Sequence, residues 1–340
     1  MFPSLAGDSS HAVAVTDATG VSVARRSAAE LTRAAGFGDV AAGRVAIIVT
    51  EAASNLVKHA GGGEVLLRQV SAPSAVGVEI LALDCGKGIP SLAQAMVDGY
   101  STAGSPGTGL GAMRRQADVW EIYSLPGKGT AILAQVWATP VERDGRRVEV
   151  GGAGAPCPGQ TVSGDGWLAL HRGGRLTIVV VDGLGHGSPA AAARAEALRL
   201  VGDSRADGPA GLMAAVHAGL RTTRGAAVTI TEIDRDRQSV RFCGLGNISA
   251  ALVGDGTIRH LVSHNGTAGH SVRKIDEFTY PWRADVLLVQ HTDGLTRHWT
   301  LEAYPGLAVR HPSLVAGVLY RDFKRGRDDV AVVVASGVAA

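Results

Sequence analysis

The chain has 340 residues, 33 Lys and Arg against 31 Asp and Glu for a formal net charge of +2, and only 4% aromatic residues. That length predicts about two domains of roughly 100 to 200 residues each, and the near-neutral charge, without a Lys or Arg run or stacking rings, excludes a nucleic-acid surface. Cys85, Cys157 and Cys243 form no C-x-x-C pair, no basic stretch precedes an apolar core at the start, and no apolar run approaches the ~20 residues that span a bilayer, so the expectation is a cytoplasmic protein without membrane partners.

In chain order, the pattern predicts a helix over residues 21–35 and a stronger one over 43–60, with Val45, Ile48, Ala52 and Leu56 as its apolar stripe. Gly61-Gly62-Gly63 ends that helix, and residues 64–70 and 76–83 read as strands. A glycine-rich loop over 99–111 leads into a helix over 112–117, followed by a hairpin of 119–124 and 130–137 around Pro126-Gly127-Lys128-Gly129. Pro, Asp, Gly and charged residues then interrupt the periodicity, which places a linker at 140–147 between domains at 10–139 and 148–338.

On the second helix Glu51, Asn55 and His59 recur every fourth residue and share a face, either a solvated polar stripe or the wall of a site. Asp84 opens Asp84-Cys85-Gly86-Lys87-Gly88-Ile89, where a buried carboxylate suits an adenine amino group and the glycines permit close backbone approach. Gly104-Ser105-Pro106-Gly107-Thr108-Gly109-Leu110-Gly111 precedes a helix, whose N-terminal N–H groups suit phosphates. With 46 glycines in the chain, about double the usual ~7%, either loop alone reads equally as a turn. Their order after the Glu/Asn helix is what carries weight.

Glu51-x-x-x-Asn55-x-x-Lys58-His59, Asp84-x-Gly86-x-Gly88, Gly107-Thr108-Gly109-Leu110-Gly111 and Gly127-Lys128-Gly129-Thr130 resemble the boxes of the GHKL ATP-binding fold, in the form used by bacterial anti-sigma serine kinases of the RsbT type. The resemblance covers residues 10–139 and implies an α/β sandwich that binds ATP and Mg²⁺. By it, Asn55 holds Mg²⁺ between the phosphates, Asp84 reads adenine with support from Thr130, Lys58 and His59 lie near phosphate, and Glu51 is the base for an acceptor hydroxyl. No phospho-acceptor His segment is recognisable, so transfer would go directly to a partner serine or threonine. A Glu near an Asn on a helix also has structural reasons to exist, and the same pocket could couple ATP to partner capture without transfer.

The second half opens with a strand over 148–151, and helices are predicted over 189–200 and 208–222, with mostly strands after them. Asp165 and Asp182 bracket a turn at Gly173-Gly174; if Arg172 pairs with Arg175, counting outward sets the two carboxylates opposite each other. Asp293 follows the run Val286-Leu287-Leu288-Val289-Gln290-His291-Thr292, and Asp328-Asp329 precede Val330-Ala331-Val332-Val333-Val334. Two strands that finish in Asp and two that begin after Asp gather carboxylates at one edge when neighbours run antiparallel. Each Asp alone reads as a turn residue, but four at strand ends repel one another unless cations neutralise them, and oxygen-preferring Mg²⁺ or Mn²⁺ suit that task. Two such ions generate a nucleophilic water and clamp a phosphoryl group, chemistry that needs no protein nucleophile.

Ser163-Gly164-Asp165, Asp182-Gly183-x-Gly185-His186-Gly187, Thr292-Asp293-Gly294 and Asp328-Asp329 resemble, in order, the motifs of the metal-dependent PPM phosphatases in their SpoIIE and RsbX branch. Gly244-Leu245-Gly246-Asn247 and Asn265-Gly266-Thr267-Ala268-Gly269 match segments of the same branch. The resemblance covers about residues 146–337 and implies a PP2C-like α/β/β/α sandwich. It makes Asp182 the bridge between two Mn²⁺ or Mg²⁺ ions, Gly183 a ligand through its carbonyl, and Asp165, Asp293 and Asp328 the rest of the shells. The Asp328-Asp329 doublet does not itself distinguish its two members; the family's ligand is normally the first of the pair, which favours Asp328. The phosphate-gripping Arg of larger members has no equivalent here, so the protein substrate would supply more of the binding. His186 reads either as a general acid toward the leaving oxygen or as a locally bonded turn residue.

A kinase-like ATP fold joined to a phosphatase predicts opposed activities on one phosphorylation switch. In the resembled systems the substrates are STAS-domain proteins, either anti-sigma antagonists or stressosome scaffold subunits, with a downstream phosphatase or sigma-factor regulator as a further partner. The leading expectation is that the chain both adds and removes phosphate on Ser or Thr. The alternative is a metal-dependent phosphatase whose ATP-binding domain only sequesters a partner or regulates the second half.

Overall fold

A computed structural model describes residues 4–7, 10–72, 74–96, 109–141, 148–172 and 174–337. It divides into a unit spanning Ser10–Arg143 and a second spanning Asp144–Ala340, to which Met1–Ser9 also belongs.

The strand β1 (Ser4–Gly7) is therefore part of the second unit. The first unit comprises β2 (His11–Val15), α1 (Ala18–Ala34), α2 (Asp39–Asn55) with a π-helical turn Leu56–Ala60, β3 (Gly63–Ala72), β4 (Ala75–Leu83), the short α3 (Leu92–Ala95), α4 (Gly109–Gln116), β5 (Val119–Leu125) and β6 (Gly129–Trp137). Its sheet runs β2-β3-β4-β6-β5 with every neighbour antiparallel. Alternation sends Val65 and Leu67, Val78, Ile80 and Ala82, and Ile132, Ala134 and Val136 to one face, where they pack with Val45, Ile48, Val49 and Ala52 of α2 and Met113 of α4.

Helix boundaries differ from the periodicity by a few residues, for local reasons. Helix α1 starts at Ala18 rather than 21 because the Asp17 carboxylate accepts the Thr19 and Gly20 N–H groups at 2.8 and 3.0 Å, a cap that apolar spacing does not register. Helix α4 starts at Gly109, not 112, so the glycine motif forms its first turn instead of only leading to it. The stretch Asp39–Ala60 is long and apolar enough by composition to cross a membrane; here Val45, Ile48, Val49, Ala52 and Ala53 of that stretch are core residues of the first unit.

In the second unit, β7 (Glu149–Ala155), β8 (Asp165–Arg172), β9 (Arg175–Gly183), α5 (Ser188–Asp203), α6 (Gly208–Gly219), β10 (Ala226–Asp234), β11 (Ser239–Leu245), β12 (Ser249–Gly254), β13 (Thr257–His260), β14 (Phe278–Pro281), β15 (Leu287–His291), α7 (Pro312–Phe323) and β16 (Val330–Ser336) form two sheets and their covers. The sheets run β1-β8-β9-β10-β11-β14 and β13-β12-β15-β16-β7. Trp167, Ile178 and Val180 of the first meet Leu288, Val333 and Ala335 of the second in the central core. Helices α5 and α6 cover the outside of the first sheet through Ala197, Val201, Leu212 and Val216, and α7 lies on β7 and β16 of the second. The result is the α/β/β/α sandwich that the resemblance implied.

After residue 222, where mostly strands were expected, helix α7 is an element that periodicity did not single out. Its Leu314, Val315, Ala316, Val318, Leu319 and Tyr320 are all buried, so twelve residues are apolar around most of the circumference and show no one-sided stripe. The helix also requires Gly151: a Cβ there would collide with the Ser313 backbone.

Candidate nucleotide pocket and carboxylate centre

In the first unit a cavity of about 330 Å³ is lined by Asn55 and His59, Asp84, Lys87 and Gly88, Gln94, Gly109 and Leu110, and Thr130, with Ala52, Leu56, Ile89 and Ile132 among its apolar walls. These residues come from the end of α2 and its π-turn, the loop after β4, α3, the start of α4 and the start of β6. A π-turn widens the helix by one residue where a site needs its side chains re-aimed, and it carries Lys58 and His59. His59 reaches the cavity. Lys58 is exposed and outside its lining.

Asp84 is held by the backbone. Its Oδ1 accepts the N–H groups of Gly86 at 2.8 Å and Thr130 at 3.1 Å. The Thr130 hydroxyl lies 2.9 Å from that of Ser124, which also accepts the Ile89 N–H at 2.8 Å. Gly88 has φ +71° and faces the Leu125 carbonyl, so a side chain there would break the loop that carries Lys87. A Cβ on Gly109 would sit 2.8 Å from Glu51 Oε2 and 3.8 Å from the Asn55 amide, so both polar residues of α2 meet the first turn of α4. Gly86 packs on Ala60, and Gly111 is buried in α4 outside the lining. Gly107 and Thr108 lie outside the described residues. Lys87, Ser91, Gln94 and Ser124 were not singled out by sequence. Lys87 stood between the two glycines of a quoted motif, whereas Gln94 on a four-residue helix left no signal.

In the second unit the β8–β9 register pairs Arg172 with Arg175 and, at the far end, Asp165 with Asp182. Thr292 and Asp293 leave β15, and Asp328 and Asp329 lead into β16, which pairs with it antiparallel. Burial, then the charges of Asp293, Asp328 and Asp329, raise the Asp182 pKa from 3.8 to about 7, against a lowering hydrogen bond from Asn247. Asp165, 3% exposed, is pushed well above the ordinary range by burial and then by Asp182, and its Oδ2 is buried without a hydrogen-bond partner.

The carboxylates divide into two kinds. Asp329 is buried and accepts the Cys157 and Gly164 N–H groups, each at 2.6 Å, one on each oxygen. Asp328 is exposed, and its Oδ1 accepts only the neighbouring Asp329 N–H at 2.9 Å. Asp293 Oδ2 accepts from the Asn247 amide at 2.8 Å, a positioning contact that sequence reading matched as a motif without giving it a role. Gly183 is buried, donates its N–H to the Gly164 carbonyl at 3.0 Å and packs against the Ala190 carbonyl too closely for any Cβ. His186 is exposed on the loop after Asp182 and makes no hydrogen bond or ion pair with the carboxylates.

Among the described residues no three His, Cys, Asp or Glu side chains close into a ready-made metal shell. The donor set nevertheless fits hard divalent cations: the groups are all oxygen, Asp165 Oδ2 is orphaned in the interior, and Asp182 is forced toward its neutral form unless positive charge arrives.

Two consequences can be measured. Asp329→Ala leaves the buried Gly164 N–H and the half-buried Cys157 N–H without their acceptor, which costs about 2–4 kcal/mol at roughly 1–3 for the buried donor and less for the half-exposed one, read as a lower urea midpoint. The raised Asp182 pKa contributes stability that is complete below 3.8 and lost as the pH climbs to about 7. Cation-free protein is therefore expected to lose thermal stability from about pH 4 to about pH 8, and Mn²⁺ to raise the melting temperature far more at the upper end.

An antiparallel sheet under two long helices with a pocket at their ends, and a two-sheet sandwich with carboxylates at one end, define a histidine-kinase-like ATPase unit joined to a PP2C-like phosphatase unit. Residues 14–136 match the family described as histidine kinase-like ATPase domain, and residues 172–336 match the stage II sporulation protein E (SpoIIE) family. The chain is 36% identical over 114 residues to the serine/threonine-protein kinase RsbT of Bacillus subtilis (strain 168), covering 34% of this chain and 86% of that protein. It belongs, through its first unit, to the RsbT serine/threonine-kinase family, with a SpoIIE-type protein serine/threonine phosphatase domain behind it. A solved structure from work on the bacterial stressosome as a modular system controlling secondary-messenger signalling is 26% identical and superposes with a TM-score of 0.52 over 56% of this chain and 99% of that one. RsbX in complex with magnesium gives 20% identity and a TM-score of 0.49 over 58% and 98%.

Proposed function

We propose that this chain writes and erases one class of mark: the first unit transfers the γ-phosphoryl group of ATP to a serine or threonine of a STAS-domain partner, an anti-sigma antagonist or stressosome-type protein, and the second hydrolyses phosphoserine or phosphothreonine in such partners. The observation that carries it is the convergence of Glu51 and Asn55 on the first turn of α4 in one unit and of four strand-end carboxylates in the other.

In the first unit Asp84, fixed by Gly86 and Thr130, has the rigidity that reading an adenine amino group requires. Asn55 stands where α4 presents its N-terminal N–H groups, the place for a Mg²⁺-bound phosphate. The acceptor hydroxyl's oxygen attacks the γ-phosphorus, the bond to the β–γ bridging oxygen breaks to leave ADP, and Glu51 takes the hydroxyl proton. In the second unit Asp165, Asp182, Asp293, Asp328 and the Gly183 carbonyl are the groups we assign to two Mn²⁺ or Mg²⁺ ions; Asp329, both of whose oxygens serve backbone N–H groups, holds the frame. When bound, the ions supply a hydroxide near neutral pH and charge to meet the phosphoryl oxygens. The leaving serine oxygen needs a proton, and His186 on its exposed loop is the group available to give it. His186→Ala is expected to slow phosphopeptide turnover by about 10²-fold and p-nitrophenyl phosphate much less, since nitrophenolate leaves without protonation; equal losses would remove His186 from the mechanism.

We place the protein in the cytoplasm, where its free cysteines stay reduced. Separate Asn55→Ala and Asp182→Asn proteins test the assignment: each is expected to lose one reaction and keep the other. Loss of both reactions in either folded variant would refute independent sites.

A further inference from the structure

The catalytic assignment leaves a cluster of cations unused. Thr296, Arg297, His298, Arg325 and Arg327 line an open cavity of about 540 Å³ in the second unit. Two segments build it, and both adjoin the carboxylate centre: Arg297 lies four residues beyond Asp293, and Arg327 immediately precedes Asp328. The segments are tied together by Arg325 N–H to the Gly294 carbonyl at 2.8 Å and Thr296 N–H to the Phe323 carbonyl at 3.0 Å. Buried Trp299 anchors the first by donating its indole N–H to His291 Nε2 at 3.0 Å. The frame is therefore fixed while Arg297, His298, Arg325 and Arg327 stay exposed.

Some arginines elsewhere in this unit are taken up by carboxylates: Arg175 and Arg241 by Glu232, Arg283 by Asp285, Arg321 by Asp322. Among the described residues Arg297, Arg325 and Arg327 have none, although acidic side chains stand within a few residues along the chain. Three unpaired guanidiniums around one opening call for anionic oxygen from outside. The cavity is several times larger than one phosphoryl group needs, and the phosphoryl group itself belongs at the carboxylate centre. Spread-out charge beside that centre suits several carboxylates on a chain that continues past the reacting residue.

We propose that this basic cavity binds an acidic segment of the protein substrate next to its phosphorylated serine or threonine, and so selects which phosphoproteins the second unit dephosphorylates. The proposal rests on the phosphatase reading of the neighbouring carboxylates. It also supplies the binding that a phosphatase without a dedicated phosphate-gripping arginine must draw from its substrate. Exposed guanidinium–carboxylate contacts are screened by salt, so the preference weakens as ionic strength rises.

The test compares two phosphoserine peptides of equal length, one with Asp and Glu flanking the phosphoserine and one with Gln and Asn, using full-length wild type and the Arg297→Glu/Arg325→Glu variant in Mn²⁺. Binding of the unphosphorylated acidic peptide is followed in parallel by fluorescence anisotropy. The expected wild-type preference in kcat/KM for the acidic peptide is about tenfold or more from two or three charge-assisted contacts, expressed in KM, and the variant reverses or abolishes it. Equal use of the two peptides by wild type overturns the proposal. So does an equal fall on both peptides in the variant, which would mean that the arginines serve the carboxylate centre. Salt-sensitive binding of the acidic peptide to wild type only, with neither peptide hydrolysed, would support the cavity and refute the phosphatase reading instead.

Discussion

Asp182→Asn is expected to reduce phosphoserine hydrolysis by on the order of 10³-fold or more, the scale of removing a group that organises transition-state charge. Asp182 faces Asp165 across the β8–β9 ladder and registers Asp293, Asp328 and Asp329, so it sits where both halves of the centre meet. The substitution also separates loss of function from loss of fold. Burial and like charge raise the wild-type pKa to about 7, so at about pH 8 the carboxyl is ionised against its neighbours, and an amide of the same shape relieves that repulsion. The cation-free variant should thus melt no lower than wild type at about pH 8 while gaining little from added Mn²⁺. An inactive variant that still gained the full Mn²⁺ stabilisation would place the ions elsewhere.

The second large effect is expected in the other unit. Asn55→Ala should weaken Mg-ATP binding by about 10²-fold and bring phosphotransfer below detection, because phosphoryl transfer depends on positioning and charge stabilisation. Asn55 lines the pocket and faces the start of α4, and it is only partly buried, so the alanine should fold normally. Asp84→Ala should also abolish nucleotide binding, but it additionally frees the Gly86 and Thr130 N–H groups that the carboxylate ties together; part of its effect would be a disordered loop. Calorimetric titration with ATP, with and without Mg²⁺, distinguishes the two: Asn55→Ala should lose the Mg²⁺-dependent increment, whereas Asp84→Ala loses the adenine-dependent part common to both.

What was legible in the sequence was whatever depends on counting. The facing of Asp165 and Asp182 followed from the turn at Gly174 and a period of two, and the proximity of Glu51 and Asn55 from a period of 3.6. What depends on contacts distant in sequence was not legible. That Asp329 accepts the Cys157 and Gly164 N–H groups, more than 150 residues away, separates it from Asp328 in a way no local pattern can. The basic cavity escaped for the same reason: Arg297 and Arg325 are ordinary charged loop residues until the Gly294 and Thr296 backbone contacts bring their segments together. Helix α7 was hidden by its burial, since a helix apolar on most sides has no stripe to detect.

Whether one chain carries two opposed reactions is decided by the intact mass of a STAS-domain protein encoded beside this chain, incubated with Mg-ATP and the Asp182→Asn protein. A gain of one phosphoryl group is expected, reversed on addition of wild-type protein and Mn²⁺. No gain by a variant shown to bind both ATP and the STAS protein would contradict it and leave the first unit as a nucleotide-dependent binding module.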